Sequence, residues 1–108
     1  MEKIDEIKVT ARELLENLIG RTVSIYDDYN REDGDANDRL LFFFDDLSAL
    51  AEGIDAICST TGADADLNEL HQKLGMLKDA IDNDDRFLVA DILKFELKPL
   101  LEYWHQTI

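Results

Sequence analysis

Hydrophobic residues recur along this chain at intervals of three and four positions, the spacing that places side chains on one face of a helix. Four such stretches follow one another, separated by polar and acidic residues. The pattern predicts an all-α fold, an antiparallel four-helix bundle with helices at about residues 4–29, 38–59, 66–82 and 85–105. We expect the whole chain, residues 1–108, to form a single domain.

The first stretch favours one long helix over two short ones. Ile7, Leu14 and Leu18 lie on one apolar stripe, and Tyr26 continues that stripe beyond Gly20. A glycine weakens a helix without ending it. The sequence therefore predicts a continuous helix with a kink at most near Gly20.

An acidic segment, residues 27–38, is the clearest loop in the sequence, because it has few apolar residues and is centred on Gly34. Asn37 or Asp38 is expected to cap the second helix, since both side chains accept hydrogen bonds from free amides at a helix start. The third helix is expected to begin at Asp66, with Glu69 completing an acidic capping box.

Three consecutive phenylalanines, Phe42, Phe43 and Phe44, occur in the second helix. Successive residues on a helix lie about 100° apart, so the three rings cannot all face one core. Phe42 lies off the centre of the apolar stripe and is therefore a candidate contact residue for a partner.

The third helix follows a strict heptad pattern, in which apolar residues alternate at spacings of three and four. Its members are Leu67, Leu70, Leu74, Leu77 and Ile81.

The last stretch, residues 85–108, is apolar round most of a helical circumference, so we expect it to form the centre of the fold. The expected turn before it, residues 82–85, is rich in aspartate, which favours the positive end of a helix dipole. Pro99 lies inside the stretch and removes one backbone hydrogen bond, so the helix either bends or ends and restarts there. Trp104 contacts the bundle on both readings and is a second candidate residue for contacts or for a buried polar group.

Glu96 is the least ordinary residue of the last helix, because it falls among apolar positions. One reading places its carboxylate at the margin of the apolar face, in solvent or paired with a basic residue such as Arg12, Arg21 or Arg39. The other reading is a buried carboxylate that is kept for specificity or for a partner's cation. Burial of an unpaired carboxylate is costly, so the two readings differ in the partner they require.

Eleven basic residues against twenty-five acidic ones give a net charge of −14. Such a surface repels phosphate, so we expect neither nucleic acid nor an anionic membrane as partner, whereas a basic protein surface, a basic peptide or cations are favoured. The alternative is that the acidic residues serve only to keep the protein in solution. Cys58 is the single cysteine and cannot form an internal disulfide. With a single cysteine, no signal-peptide pattern and no membrane-spanning run, the expected location is a reducing cytoplasm.

Candidate metal-binding patterns in the sequence are weak, and we expect no cofactor. Residues 33–37 and 64–68 carry the alternating acids of a calcium loop but lack its glycine at the sixth and glutamate at the twelfth position. Glu102 and His105 have the spacing of a di-iron ligand pair, but such a site needs two pairs and the chain has one. We interpret the pair as a surface pair.

The tail DRFLVADILKFELKPLLEYW, residues 85–104, resembles a motif of small uncharacterised bacterial proteins, in which an aspartate-rich turn leads into a "LADxLEYELxPLLxxW"-like helix. The resemblance implies a helical fold and a bacterial origin. It carries no activity that could be transferred to this chain.

Two acidic pairs, Glu13 with Glu16 and Glu52 with Asp55, resemble the paired motifs of the all-α nucleotide pyrophosphohydrolases, which hold magnesium inside a bundle. A magnesium site needs carboxylates that converge. The apolar stripes of both helices predict that these acids face away from the core or lie at its flank, which opposes the enzyme hypothesis.

The sequence is therefore most consistent with a non-enzymatic protein that acts through protein contacts, as an adaptor, a chaperone-like or a regulatory module. Its surplus apolar surface would be covered by a homodimer or by a partner's amphipathic helix. The alternatives are the metal-dependent hydrolase and an acidic decoy that imitates nucleic acid. A decoy needs rows of acids, but here they cluster in segments 27–38 and 82–85.

Overall fold

Helical periodicity accounts for nearly all of the observed structure. A computed structural model describes residues 2–31, 34–63, 65 and 67–108, and these contain four helices and no strand, which confirms the all-α prediction. The fourth helix has three consecutive parts, two α-helical and one π-helical. The helices are α1 (Glu2–Asn30), α2 (Ala36–Thr61), α3 (Leu67–Asp82) and α4, whose parts are Arg86–Asp91, Ile92–Leu97 (π-helical) and Lys98–Thr107.

The four helices form an elongated antiparallel bundle of 46 × 21 × 19 Å. Contacts at the two ends fix the direction of α4 against α1: the Arg86 guanidinium lies 5.2 Å from the Tyr29 ring centroid, and Arg12 donates to the carbonyl of Ile108. The long first helix, which is not broken at Gly20, spans about the whole length of the bundle at about 1.5 Å per residue.

The helices pack in the order α2, α1, α4, α3. The first helix packs closely against α2 and against every part of α4, whereas α3 packs closely against the first two parts of α4. The centre of the fold is thus shared by α1 and α4, not held by the last helix alone. One side of α4 faces solvent, because Phe87 and Phe95 are exposed.

A single hydrophobic core joins all four helices. Its largest fully buried side chains, which come from every helix, are Trp104, Phe43, Leu15, Leu18, Ile25, Leu47, Leu50, Ile54, Ile57, Leu70, Leu77 and Leu93. None of the described helices combines the length and the apolarity needed to cross a membrane.

The predicted loop at residues 27–38 is wrong at both ends, because the connection between α1 and α2 is shorter. Helix α1 continues to Asn30, and α2 already begins at Ala36, with Asp35 in the capping position that we had assigned to a later residue. Asn37 lies inside the helix instead and accepts a hydrogen bond from the Tyr29 hydroxyl at 2.6 Å. Burial of Tyr29 raises the pKa of its hydroxyl.

The start of the acidic segment is helical, and the carboxylate of Asp28 is buried there and pairs with two arginines. It accepts a hydrogen bond from Arg31 at 2.8 Å and another from Arg39, which lies on α2. Burial alone would raise the pKa of Asp28, but the two hydrogen bonds and the two positive charges outweigh it, so the pKa lies below its ordinary value of 3.8. This ion cluster joins the end of α1 to the start of α2.

The turn predicted at residues 82–85 is present and is held by its aspartates. Asp84 adopts a left-handed conformation (φ 55°), which aspartate tolerates better than most residues. The Asp85 carboxylate accepts a hydrogen bond from the Leu88 amide at 3.2 Å and so caps α4. The capping box that we predicted at Asp66 lies outside the described residues.

Helix α4 runs through Pro99 without a break. Immediately before it, the Ile92–Leu97 segment is π-helical, and the Lys98 amide donates to the Leu93 carbonyl, five residues back. Pro99, which has no amide hydrogen, is the second residue of the following α-helical part and comes directly after this change of register. Of the two predicted alternatives, the helix therefore does not end and restart; its hydrogen-bond register changes instead.

Candidate functional site

Trp104 is completely buried, with none of its surface exposed. Its indole Nε1 has no hydrogen-bond partner among the described residues. Of the two roles considered for it, surface contact and buried polar group, only the second is compatible with this position. Trp104 belongs to the core and does not line a binding surface.

The three phenylalanines diverge as the helical spacing predicts. Phe43 is fully buried, Phe44 is half-buried, and Phe42 is 67% exposed. Two residues along a helix correspond to about 200°, so Phe42 and Phe44 lie on nearly opposite sides of α2. Phe42 is accessible, but it stands apart from the apolar groove described below.

Glu96 is 42% exposed and forms an ion pair with Lys73, whose Nζ lies 2.6 Å from Glu96 Oε2. The hydrogen bond to this carboxylate raises the pKa of Lys73. This position fits the first reading, a carboxylate at the margin of the apolar face that pairs with a basic residue; the partner is Lys73, because α3 packs on α4. The three arginines considered as partners bind elsewhere: Arg12 the Ile108 carbonyl, Arg21 the Asp46 carboxylate and Arg39 the Asp28 carboxylate.

We expect Glu96→Gln to leave the melting temperature within about 4 °C of the wild type, because partly exposed ion pairs contribute little to stability. Since the pKa of Lys73 is raised above its ordinary value of 10.5, the contribution of its positive charge is complete below that pH and is lost as the pH rises through the raised pKa. Thermal unfolding at neutral pH measures the effect, with Asp91→Asn, an exposed change of equal charge on α4, as control. A much larger loss for Glu96→Gln would show that the carboxylate is structurally essential.

An apolar groove of about 290 Å³ lies between α2 and α3 and is the strongest candidate for a functional site. Phe44 and Ser48 line it from α2, and Leu74, Lys78 and Ile81 line it from α3. The Ile81 side chain is 39% exposed, although it occupies a heptad position. The groove is therefore open to solvent along an apolar floor.

The heptad of α3 explains the apolar floor. One row of the heptad, Leu70 and Leu77, is buried in the core. The alternate row, with one member every seven residues, is only half covered, and its members are Leu67, Leu74 and Ile81. Helix α2 has a matching half-covered row at the same spacing, formed by Phe44, Ala51 and Cys58.

The groove stays open because its two helices pack on different neighbours. Helix α2 packs closely on α1, α3 packs closely on α4, and α2 and α3 make few close backbone approaches within the described part of the chain. In a compact four-helix bundle the two half-covered rows would close on each other. Here they leave, at one end, a space into which side chains can enter, between Phe44 and Ser48 on α2 and Leu74 and Ile81 on α3.

The rim of the groove is acidic on the side of α2. Asp45, Glu52 and Asp55 are exposed and lie three, four and seven residues from Ser48, which places them along the same side of the helix. On the side of α3, Lys78 and Asp82 are exposed and balance each other in charge. The groove thus combines an apolar floor with a negatively charged edge.

Helix α4 carries a second exposed apolar surface, centred on Phe95. The Phe95 ring meets the Tyr26 ring edge to face, with centroids 6.3 Å apart, and Lys94 Nζ lies 4.4 Å from the Tyr26 ring centroid. Tyr103 is exposed on the same helix. Phe95 is 60% exposed, but its ring already has aromatic and cationic neighbours, and within the ranges that the structure describes this surface has no facing apolar row like the one that α2 offers to α3.

The acidic pairs considered for metal binding are exposed. Glu13, Glu16, Glu52 and Asp55 all lie on the surface. Glu16 contacts His105 at 3.1 Å. In the described ranges, no three histidine, cysteine or acidic side chains converge as metal ligands would. Of the two calcium-loop segments, Asp33, Asp64 and Asp66 lie outside those ranges.

This chain was compared with known proteins, solved structures and models of protein families. No curated protein and no solved structure matches the chain. One family model does match, over residues 6–107, which include most of α1 and the whole of α2, α3 and the groove between them. The chain therefore belongs to the family described as domain of unknown function (DUF8042).

Proposed function

We propose that this protein is a non-enzymatic module that acts through protein contacts, in an adaptor, chaperone-like or regulatory role. The observation that carries the proposal is the open apolar groove between α2 and α3. An exposed apolar surface rimmed by polar residues is typical of a protein interaction site. The groove also has the form in which helices are commonly bound by other helices.

Leu41 extends the apolar surface of the groove towards the start of α2. It is 63% exposed and precedes Phe44 by three residues and Ser48 by seven, so it lies on the same side of the helix. An isolated exposed leucine needs no explanation. Here it lies next to the half-covered row and one heptad before Ser48, which enlarges the surface that a partner would bury.

The hydrolase alternative receives no comparable support. Its four acids are exposed on α1 and α2, where water solvates them. A catalytic magnesium ion is held by carboxylates that converge on it. We therefore place the function in binding.

The cytoplasm and a bacterial origin stay predictions. The first rests on the single Cys58 and the second on the resemblance of the tail, residues 85–104.

Site-specific photo-crosslinking tests the proposed function. We would replace Leu41 with the photoreactive p-benzoylphenylalanine, express the protein in its source cell and irradiate. The expected result is a discrete adduct with another protein. The control position is Glu13, which is exposed on α1 away from the groove. No adduct from Leu41, or the same adducts from both positions, would contradict the proposal.

A further inference from the structure

We infer that the occupant of the α2–α3 groove is an amphipathic helix of another protein, with an apolar row at seven-residue spacing flanked by lysine or arginine. The inference rests on the proposed function and specifies the chemistry of its partner. Three features of the groove lead to it: the spacing of its rows, its length and its charge.

The spacing of the half-covered rows selects a helix. Leu67, Leu74 and Ile81 repeat every seven residues, and so do Phe44, Ala51 and Cys58. In coiled-coil packing, side chains at this repeat insert between the side chains of a facing helix. An extended strand has a period of two and cannot match such rows along their length.

The length of the row sets the length of the occupant. The part of α3 that lines the groove, from Leu74 to Ile81, rises by about 10 Å, or about two turns, and the half-covered row continues to Leu67, about 21 Å from Ile81. The volume of about 290 Å³ at one end of this row suits a few side chains rather than a folded domain. A single helix that lays apolar side chains into the groove satisfies both dimensions.

Charge selects a basic partner. Asp45, Glu52 and Asp55 are exposed on the same side of α2 as Ser48, which lines the groove. On α3, the positive charge of Lys78, which also lines the groove, is offset by the exposed Asp82 four residues further on. Lysine or arginine beside the apolar row of the partner would meet these carboxylates. Complementary charges accelerate encounter and disfavour wrong partners.

The same charge argues against a second copy of this chain as the occupant. Each copy carries a net charge of −14. If two copies met through this groove, acidic edges would be brought together, and like charges in an interface are costly.

Designed peptides of about 18 residues provide the probe. One carries leucine at heptad spacing with flanking lysines, and its matched partner carries glutamate in place of every lysine. Fluorescence anisotropy of the labelled peptides measures affinity for the intact protein. We expect the lysine peptide to bind at least about tenfold more tightly than the glutamate peptide, with an affinity that falls as salt rises.

Charge-neutral variants separate groove binding from general attraction to an acidic protein. The groove variant is Leu41→Ser with Ile81→Ser, and the matched control is Val9→Ser with Tyr103→Ser. All four side chains are exposed, so circular dichroism is expected to show a folded protein for both variants. The groove variant should weaken the lysine peptide by at least about tenfold, and the control should leave its affinity unchanged.

A second pair of variants tests the acidic edge. Asp45→Asn with Glu52→Gln should weaken binding several-fold and reduce its salt dependence. Asp5→Asn with Glu13→Gln removes the same charge from α1 and should have a smaller effect, because these exposed acids lie away from the groove.

Three outcomes would overturn the inference: equal binding of both peptides, equal weakening by the groove and control variants, or a dimeric mass in light scattering that Leu41→Ser makes monomeric. The last would identify a second copy as the occupant. A photo-adduct with another protein from Leu41, together with no binding of the lysine peptide, would overturn this inference alone. Failure of both experiments would remove the proposed function as well.

Discussion

Replacement of Trp104 with alanine is expected to lower the free energy of unfolding by about 3–5 kcal/mol, because it removes a fully buried aromatic side chain and leaves a cavity. Trp104 is the largest of the completely buried side chains and joins α4 to the common core. Urea unfolding followed by far-ultraviolet circular dichroism measures the loss, since the variant has no tryptophan left as a fluorescence probe.

The neighbouring aromatic residue provides the control for this prediction. Tyr103 is 52% exposed, so Tyr103→Ala should change the free energy of unfolding by less than about 1 kcal/mol. Similar losses for both variants would show that α4 is not seated as described. A loss for Tyr103→Ala alone would mean that the register of α4 is shifted by one residue.

The second large effect is expected for Asp28→Asn, which should lower the free energy of unfolding by about 1–3 kcal/mol at neutral pH. The substitution removes the negative charge that accepts hydrogen bonds from Arg31 and Arg39 at the junction of α1 and α2. The two arginines remain partly exposed and can be hydrated, which keeps the loss below that of a fully buried pair.

The contribution of Asp28 to stability depends on pH, which distinguishes it from the effect of lost packing. The pKa of Asp28 in the folded protein lies below 3.8, so its stabilising contribution is complete above that pH and is lost as the pH falls through the lowered pKa. Asp28→Asn should therefore reduce the difference in stability between neutral and acidic pH. Its control is Asp27→Asn, which removes the same charge at the exposed position that precedes Asp28. An equal response from Asp27→Asn would contradict the account.

The helices could be predicted from the sequence because their signal is local. Apolar spacing in the first stretch defines α1 past Gly20, and the aspartates at residues 82–85 mark the turn that Asp84 and Asp85 form. The divergence of the phenylalanines also follows from spacing alone, since Phe43 is buried and Phe42 exposed. None of these features requires knowledge of which helix packs on which.

The features that the sequence did not reveal depend on packing between helices. Lys73 meets Glu96 only because α3 lies on α4, and Asp28 is buried only because Arg39 approaches from α2. The π-helical segment before Pro99 is a change of hydrogen-bond register within an apolar run whose composition does not distinguish the two helix types.

The apolar residues that line the groove could be recognised in the sequence, but their spacing did not show that they are exposed. A strict heptad at residues 67–81 predicts two apolar rows, but only the fold shows that one row is buried and the other half-covered. The number of helices that share each row is a tertiary property. Surplus apolar surface was therefore predictable, whereas its location between α2 and α3 was not.

Mapping of amide chemical shifts while the lysine-flanked peptide is added shows directly whether a partner binds in the groove between α2 and α3. We expect the largest changes in chemical shift around Phe44 and Ser48 on α2 and around Leu74 and Ile81 on α3. Changes concentrated on α1 and α4, or no changes at peptide concentrations well above that of the protein, would contradict binding in this groove.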